Sequence, residues 1–184
     1  MSKIAVYLPG IGYHCDKPLL YYGRKVACVA GYDRYVNISY EYSGFDIKNE
    51  ECMRNATLEL LKQAMEQLHD INWDEYDEIL FVAKSIGTIL AAKLADDLKR
   101  DNLKMVLFTP LIQTYQWQIN NAIAFLGTRD RFSKAENIKE LADKNEMPLY
   151  IYENCNHSLE TEDTFVNLAI MKDVLGKMSE FIAK

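Results

Sequence analysis

The chain has 184 residues, 49% of them hydrophobic and 26% charged, a balance that supports one sizeable core and argues against disorder. A net charge of -6 supplies no basic surface for a phosphate backbone, so nucleic acid is not an expected partner. The first apolar run is too short for a signal peptide, and nothing approaches the roughly 18 apolar residues of a membrane span, so a cytoplasmic protein with no membrane contact is expected.

Residues 4–8 read as a first strand, ended by Pro9-Gly10-Ile11-Gly12. Asp16-Lys17-Pro18 then opens a helix, with Asp16 as N-cap and Pro18 in the first turn, and Gly31 stops it. Residues 35–42 are rich in β-branched and aromatic side chains and read as a second strand. Between residues 49 and 69, Met53, Leu60, Leu61, Ala64 and Leu68 fall on one helical face. Residues 79–83 are apolar throughout, as in a strand buried on both faces of a parallel sheet. A helix over 86–99 follows. Strands over 105–108, 122–126 and 149–152 come next, with helices over 134–144 and 164–183. The join from 110 to 121 is short for a helix. No repeat, low-complexity tract or linker interrupts the series.

This alternation predicts an α/β fold in one domain spanning residues 1–184. It is a single doubly wound sheet of about six mostly parallel strands, with helices on both faces. Ligands bind such sheets at the carboxyl ends of the strands, where the strand order reverses. The chemistry is therefore expected within residues 10–14, 84–85, 109–110, 128–130 and 154–158.

Ala83-Lys84-Ser85-Ile86-Gly87 lies between a buried strand and a helix. Small residues on either side of a serine allow a sharp, strained turn that exposes its hydroxyl. Taken alone, Ser85 reads equally well as a helix N-cap. Gly127-Thr128-Arg129-Asp130, however, puts a carboxylate at the same edge, and Asn156-His157-Ser158 puts one of only three histidines there. Asp130 alone would be a turn residue and His157 alone a structural one. Each at a strand end, in the order serine, acid, histidine, they read as a catalytic triad.

On these residues the chain resembles a minimal, cap-less α/β hydrolase. It begins at what is usually that family's third strand, which implies the strand order 2-1-3-4-5-6. The resemblance implies a serine hydrolase that cleaves small carboxylic esters or thioesters through an acyl-enzyme, without cofactor or metal. Ser85 would be the nucleophile, His157 the base and Asp130 the acid. The implied oxyanion hole is made by the backbone N–H groups of Ile86 and Ile11, with Gly12 close behind. Pro9 stands where the family often has histidine, a departure that backbone donors tolerate.

Gly12, Tyr13, Thr109, Leu111 and Trp117 are candidates to line the pocket, and packing explains each of them equally well. The short 110–121 join leaves no room for a cap. A shallow pocket bounded by Ile11, Tyr13, Leu111 and Trp117 is expected, suited to a small-molecule acyl substrate. Activity should rise with pH as His157 loses its proton, with an apparent pKa of about 6–7.

Two other readings compete. A triad-like constellation can persist on a scaffold that serves only as a ligand- or protein-binding module. Gly10-Ile11-Gly12 also evokes a dinucleotide fingerprint, with Glu41 as ribose ligand, but Cys15 stands where its third glycine belongs. His14, Cys15, Cys155 and His157 match no common zinc spacing. The four cysteines, at 15, 28, 52 and 155, form no CxxC pair and are expected as reduced thiols.

Overall fold

A computed structural model describes residues 1–42 and 49–184 of the chain. Six strands form one sheet: β1 (Lys3–Leu8), β2 (Arg34–Asn37), β3 (Glu78–Lys84), β4 (Leu103–Phe108), β5 (Ala122–Gly127) and β6 (Leu149–Tyr152). Every pairing is parallel and the order is β2-β1-β3-β4-β5-β6, as expected. The helices are α1 (Pro18–Val29), α2 (Glu50–Leu68), α3 (Ile86–Leu98), α4 (Ala135–Lys144) and α5 (Thr164–Ile182).

The central strands are apolar on both sides because each side meets a helix layer. Ile4, Val6, Leu8, Ile79, Phe81, Ala83, Met105 and Leu107 pack with residues of α2, α3 and α4. Their neighbours in sequence, Ala5, Tyr7, Leu80, Val82, Val106 and Phe108, pack with residues of α1 and α5. This is the two-residue period of a strand expressed in two cores. Each fully buried large side chain contributes on the order of 1.5–3 kcal/mol.

Two local expectations need correction. Helix α1 starts at Pro18, and its N-cap is Lys17, which makes no side-chain cap bond. Asp16 lies one residue too early to cap; its carboxylate pairs with Arg24 at 3.4 Å instead. The second strand ends at Asn37 rather than near residue 42. Beyond it the chain leaves the sheet because α2 offers other partners. Gln63 and Gln67, one turn apart, bond both ways to the backbone of Glu41 and Ser39, at 2.9 to 3.1 Å. Two side-chain amides thus replace a neighbouring strand. The β4–β5 join, expected to be short for a helix, holds only a 3-10 segment, Ile112–Gln116. Thr88 of α3 holds it through a 2.6 Å hydroxyl contact to Thr114.

The strand order reverses between β1 and β3. Their register, Leu8 opposite Ala83, brings Pro9-Gly10 beside Lys84-Ser85.

Candidate active site

Ser85 joins β3 to α3 with φ 55° and ψ -124°, a left-handed conformation unusual for a residue with a side chain. Its N–H donates to Phe108 O at 3.0 Å, so the elbow remains tied to β4. The turn is tight enough that only glycine fits two residues later. A Cβ on Gly87 would sit 2.1 Å from Leu8 O and 2.6 Å from Pro9 O. The first turn of α3 therefore rests directly on the end of β1.

On the other side of the switch point, Gly10 and Tyr13 exchange backbone hydrogen bonds of 3.2 and 3.1 Å, and Gly12 takes φ 75° at the tip. Gly10 comes so close that a Cβ there would lie 3.1 Å from Ser85 Cβ. Among the described residues, the N–H groups of Ile11 and Ile86 find no acceptor in the loops around them. The helix of the dinucleotide fingerprint would begin at once after such glycines. Here the turn closes on itself and α1 begins only at Pro18.

Asp130 follows β5 in a turn closed by its own N–H to Gly127 O at 3.2 Å. Its side chain is fully buried, and Oδ1 accepts from Phe132 N at 2.9 Å. The loop after β6 crosses directly above this turn. A Cβ on Gly127 would lie 2.2 Å from Cys155 O, and Arg129 N donates to that same carbonyl at 2.9 Å. Asn156 shapes the loop: Oδ1 accepts from Ser158 N and Glu160 N, at 2.7 and 3.2 Å. Phe132 packs edge-on against the His157 ring, with centroids 4.7 Å apart.

The result is a continuous hydrogen-bonded chain. His157 Nδ1 lies 2.7 Å from Asp130 Oδ2, and Nε2 lies 2.8 Å from Ser85 Oγ. An ionised Asp130 only accepts, so Nδ1 carries the proton and Nε2 is left to accept from the serine hydroxyl. Burial pulls the His157 pKa below its usual value; the hydrogen bond to Asp130 opposes this and the charge of Lys84 adds to it. The imidazole is thus biased toward the neutral form, which can take a proton from Ser85.

The candidate pocket residues are dispersed. Ile11 and Gly12 line a hollow of ≈ 330 Å³ beside the turn after β1, together with His14, Asn37, Ser39 and Tyr40, and none of Ser85, Asp130 or His157 lines it. Tyr13 is turned toward α1, where its hydroxyl accepts from Leu19 N at 3.1 Å. Thr109 is fully buried with φ 47°, and Leu111 is 2% exposed within the core. Trp117 lines a separate groove of ≈ 850 Å³ with residues of α2 and α3, and none of Ser85, Asp130 or His157 lines it. Sequence patterning did not point to residues 37–40, because their place beside the turn after β1 depends on the Gln63–Gln67 clamp. All four cysteines are free; burial pushes the Cys15 thiol up to about 12 and raises that of Cys155. Among the described residues no three His, Cys, Asp or Glu side chains cluster as metal ligands, and no helix is long and apolar enough to cross a membrane.

These features define the α/β-hydrolase fold in a minimal form, without a cap between β4 and β5. Among solved structures, the chain is similar to the Pyrococcus furiosus esterase Pf2001, with a TM-score of 0.68 and 12% identity over 98% of this chain and 81% of that one. It is also similar to XC6422 from Xanthomonas campestris, an α/β serine hydrolase without a lid, with a TM-score of 0.61 and 10% identity over 98% and 80%. A third protein, of the α/β hydrolase superfamily and also from Xanthomonas campestris, is matched over 98% of this chain and 99% of its own, with a TM-score of 0.60 and 13% identity. No family model matches the chain, and no curated protein sequence does either.

Proposed function

We propose that this protein is a serine hydrolase that cleaves small carboxylic esters or thioesters through an acyl-enzyme. Ser85 attacks the carbonyl carbon while His157 Nε2 takes its proton. Asp130 holds the imidazole in the required tautomer and stabilises the imidazolium that forms. The Ile11 and Ile86 N–H groups receive the developing oxyanion, a contribution of about 2.7–4 kcal/mol per donor. His157 then returns its proton to the leaving group, and water resolves the acyl-enzyme with the same base.

The observation that carries this reading is the unbroken Ser85–His157–Asp130 chain, at 2.8 and 2.7 Å, ending at a strained serine elbow. A buried histidine serving only the core has no need of a partner held in a costly left-handed conformation. The ester class is supported by the likeness to an esterase.

The test is a panel of chromogenic esters and acyl-thioesters on the purified protein, with the Ser85→Ala variant as control. Turnover should fall about 10⁶-fold in the variant. A variant within tenfold of the wild type on any good substrate would overturn the proposal.

A further inference from the structure

Arg131, the residue after Asp130, carries a charge for which the mechanism above has no task. Its guanidinium carbon lies 4.9 Å from the centre of the Phe132 ring. That ring in turn packs against the His157 imidazole, with centroids 4.7 Å apart. Two ring contacts therefore connect an exposed cation to the histidine beside Ser85. Among the described residues the guanidinium makes no hydrogen bond and no ion pair. By contrast, Arg24 pairs with Asp16 and Arg100 with Asp74. In a chain with 27 acidic and 21 basic side chains, acids are in excess, so an arginine left unpaired at this place needs a reason.

The turn after β5 fixes where this charge sits. Phe132 N donates to Asp130 Oδ1 at 2.9 Å, and the Ser133 hydroxyl donates to Pro110 O at 2.8 Å. Phe132 is half-buried and gives the guanidinium a seat. A cation over an aromatic face is held by the ring quadrupole, and the N–H groups pointing away from the ring stay free. Those donors suit a carboxylate, which an arginine grips through two parallel hydrogen bonds. The chemistry decides which part of a substrate they meet. His157 must return its proton to the leaving group, so the leaving oxygen or sulfur departs within reach of Nε2. The acyl oxygen points elsewhere, to the N–H groups of Ile11 and Ile86. Arg131, reached from the imidazole through Phe132, therefore belongs with the leaving group.

We propose that Arg131 is a specificity-determining residue: seated on Phe132 beside His157, its guanidinium selects esters or thioesters whose alcohol or thiol part carries a carboxylate. This rests on the serine-hydrolase reading. The two ring contacts keep the path from guanidinium to imidazole short, so the matching carboxylate sits on a compact leaving group rather than at the end of a long chain. A single cation on a chain of net charge -6 matches a monoanion better than a phosphate group, which carries nearly two negative charges. The absence of a cap between β4 and β5 leaves the leaving group open to a residue on the exposed side of the turn.

The test uses a matched pair of aryl acetates, 4-acetoxybenzoate and the neutral 4-acetoxybenzamide, on the wild type, Arg131→Gln and a control, Lys184→Gln. Lys184 follows α5, whose final turn meets Lys104 at the sheet edge away from Ser85, so the control removes an equal charge far from the site. The quantity read is the ratio of kcat/KM for the benzoate to that for the benzamide. Comparing this ratio between proteins cancels the intrinsic reactivity of the two esters. Arg131→Gln should lower it about three- to tenfold, and Lys184→Gln should leave it in place. The difference between wild type and Arg131→Gln should shrink in about 1 M salt, where the Debye length falls to about 3 Å. Equal ratios in wild type and Arg131→Gln would overturn the proposal. So would failure to cleave the benzoate by a protein that fluorophosphonate still labels at Ser85. A folded wild type with neither label nor turnover fails as a hydrolase, and the role of Arg131 falls with that reading.

Discussion

Asp130 is the residue whose role separates most cleanly from mere packing. Asp130→Asn preserves volume but favours the wrong imidazole tautomer, so kcat should fall something like 10⁴-fold with little change in stability. The nearby Glu153 gives no backup, since it accepts from the Thr128 hydroxyl at 3.2 Å rather than from His157. A loss below about tenfold would show that another acid supports the base. The rise of kcat/KM with pH should be centred on the acid side of the usual histidine value of about 6.5, because burial and Lys84 both disfavour the imidazolium. A midpoint well above that value in the wild type would contradict this balance. At this scale the sequence was a good guide to which three residues the structure joins in one hydrogen-bonded chain, because Ser85, Asp130 and His157 each follow an apolar strand. It was a poor guide to Leu111 and Trp117. Being near a strand end does not distinguish a side chain that points into the core, or into another groove, from one that faces the serine.

At the scale of elements, the site depends on two close approaches of backbone. Gly87 lets α3 rest on the end of β1, and Gly127 lets the histidine loop cross β5. Gly87→Ala and Gly127→Ala each force main-chain displacement, and a shift of about 1 Å at the chemistry costs on the order of 10²-fold in rate. Both should lose far more activity than a control such as Gly176→Ala in α5. There a Cβ meets nothing within 4 Å, and the helix should gain roughly 0.5–1 kcal/mol. Equal activity in all three variants, measured as kcat/KM on one ester, would contradict this assignment. The sheet order was legible because apolar runs and turn residues alternate so regularly. The end of β2 was not, since residues 39–41 have strand-like composition and only the distant Gln63 and Gln67 draw them away. Asn156 was passed over for a similar reason: its Oδ1 serves amides two and four residues ahead, in a loop whose path no periodicity describes.

For the whole molecule, the two edges of the sheet have different electrostatic tasks. The carboxyl edge holds the candidate site, the Ser85–His157–Asp130 chain. At the opposite edge Glu78 accepts from Lys3 at 2.6 Å, Tyr32 at 2.8 Å and Lys104 at 3.1 Å. Burial alone would raise its pKa, but these three partners outweigh it and hold the carboxyl down at about 2. A depressed carboxyl stabilises the fold above its unfolded value of about 4.3, and that contribution is lost as the pH falls toward 2. Melting temperatures of the wild type should therefore drop more steeply than those of Glu78→Gln between about pH 4.5 and pH 2. Parallel curves would show that Glu78 carries no such load. The absence of a cap between β4 and β5 should also limit substrate size, because methylenes beyond a short chain would find no wall and gain little of the ~0.8 kcal/mol available to a buried one. Acetyl to butyryl esters should be cleaved at least as well as octanoyl esters. A steady rise in kcat/KM with chain length would reveal a deep acyl site.

The central claim is that Ser85 is a nucleophile activated by His157, and covalent labelling tests it most directly. Wild-type protein treated with a fluorophosphonate should acquire a single adduct, located on Ser85 by peptide mass spectrometry. Labelling should be much slower in Asp130→Asn and absent from Ser85→Ala. An adduct on another residue, or no adduct while the protein remains folded, would contradict the account.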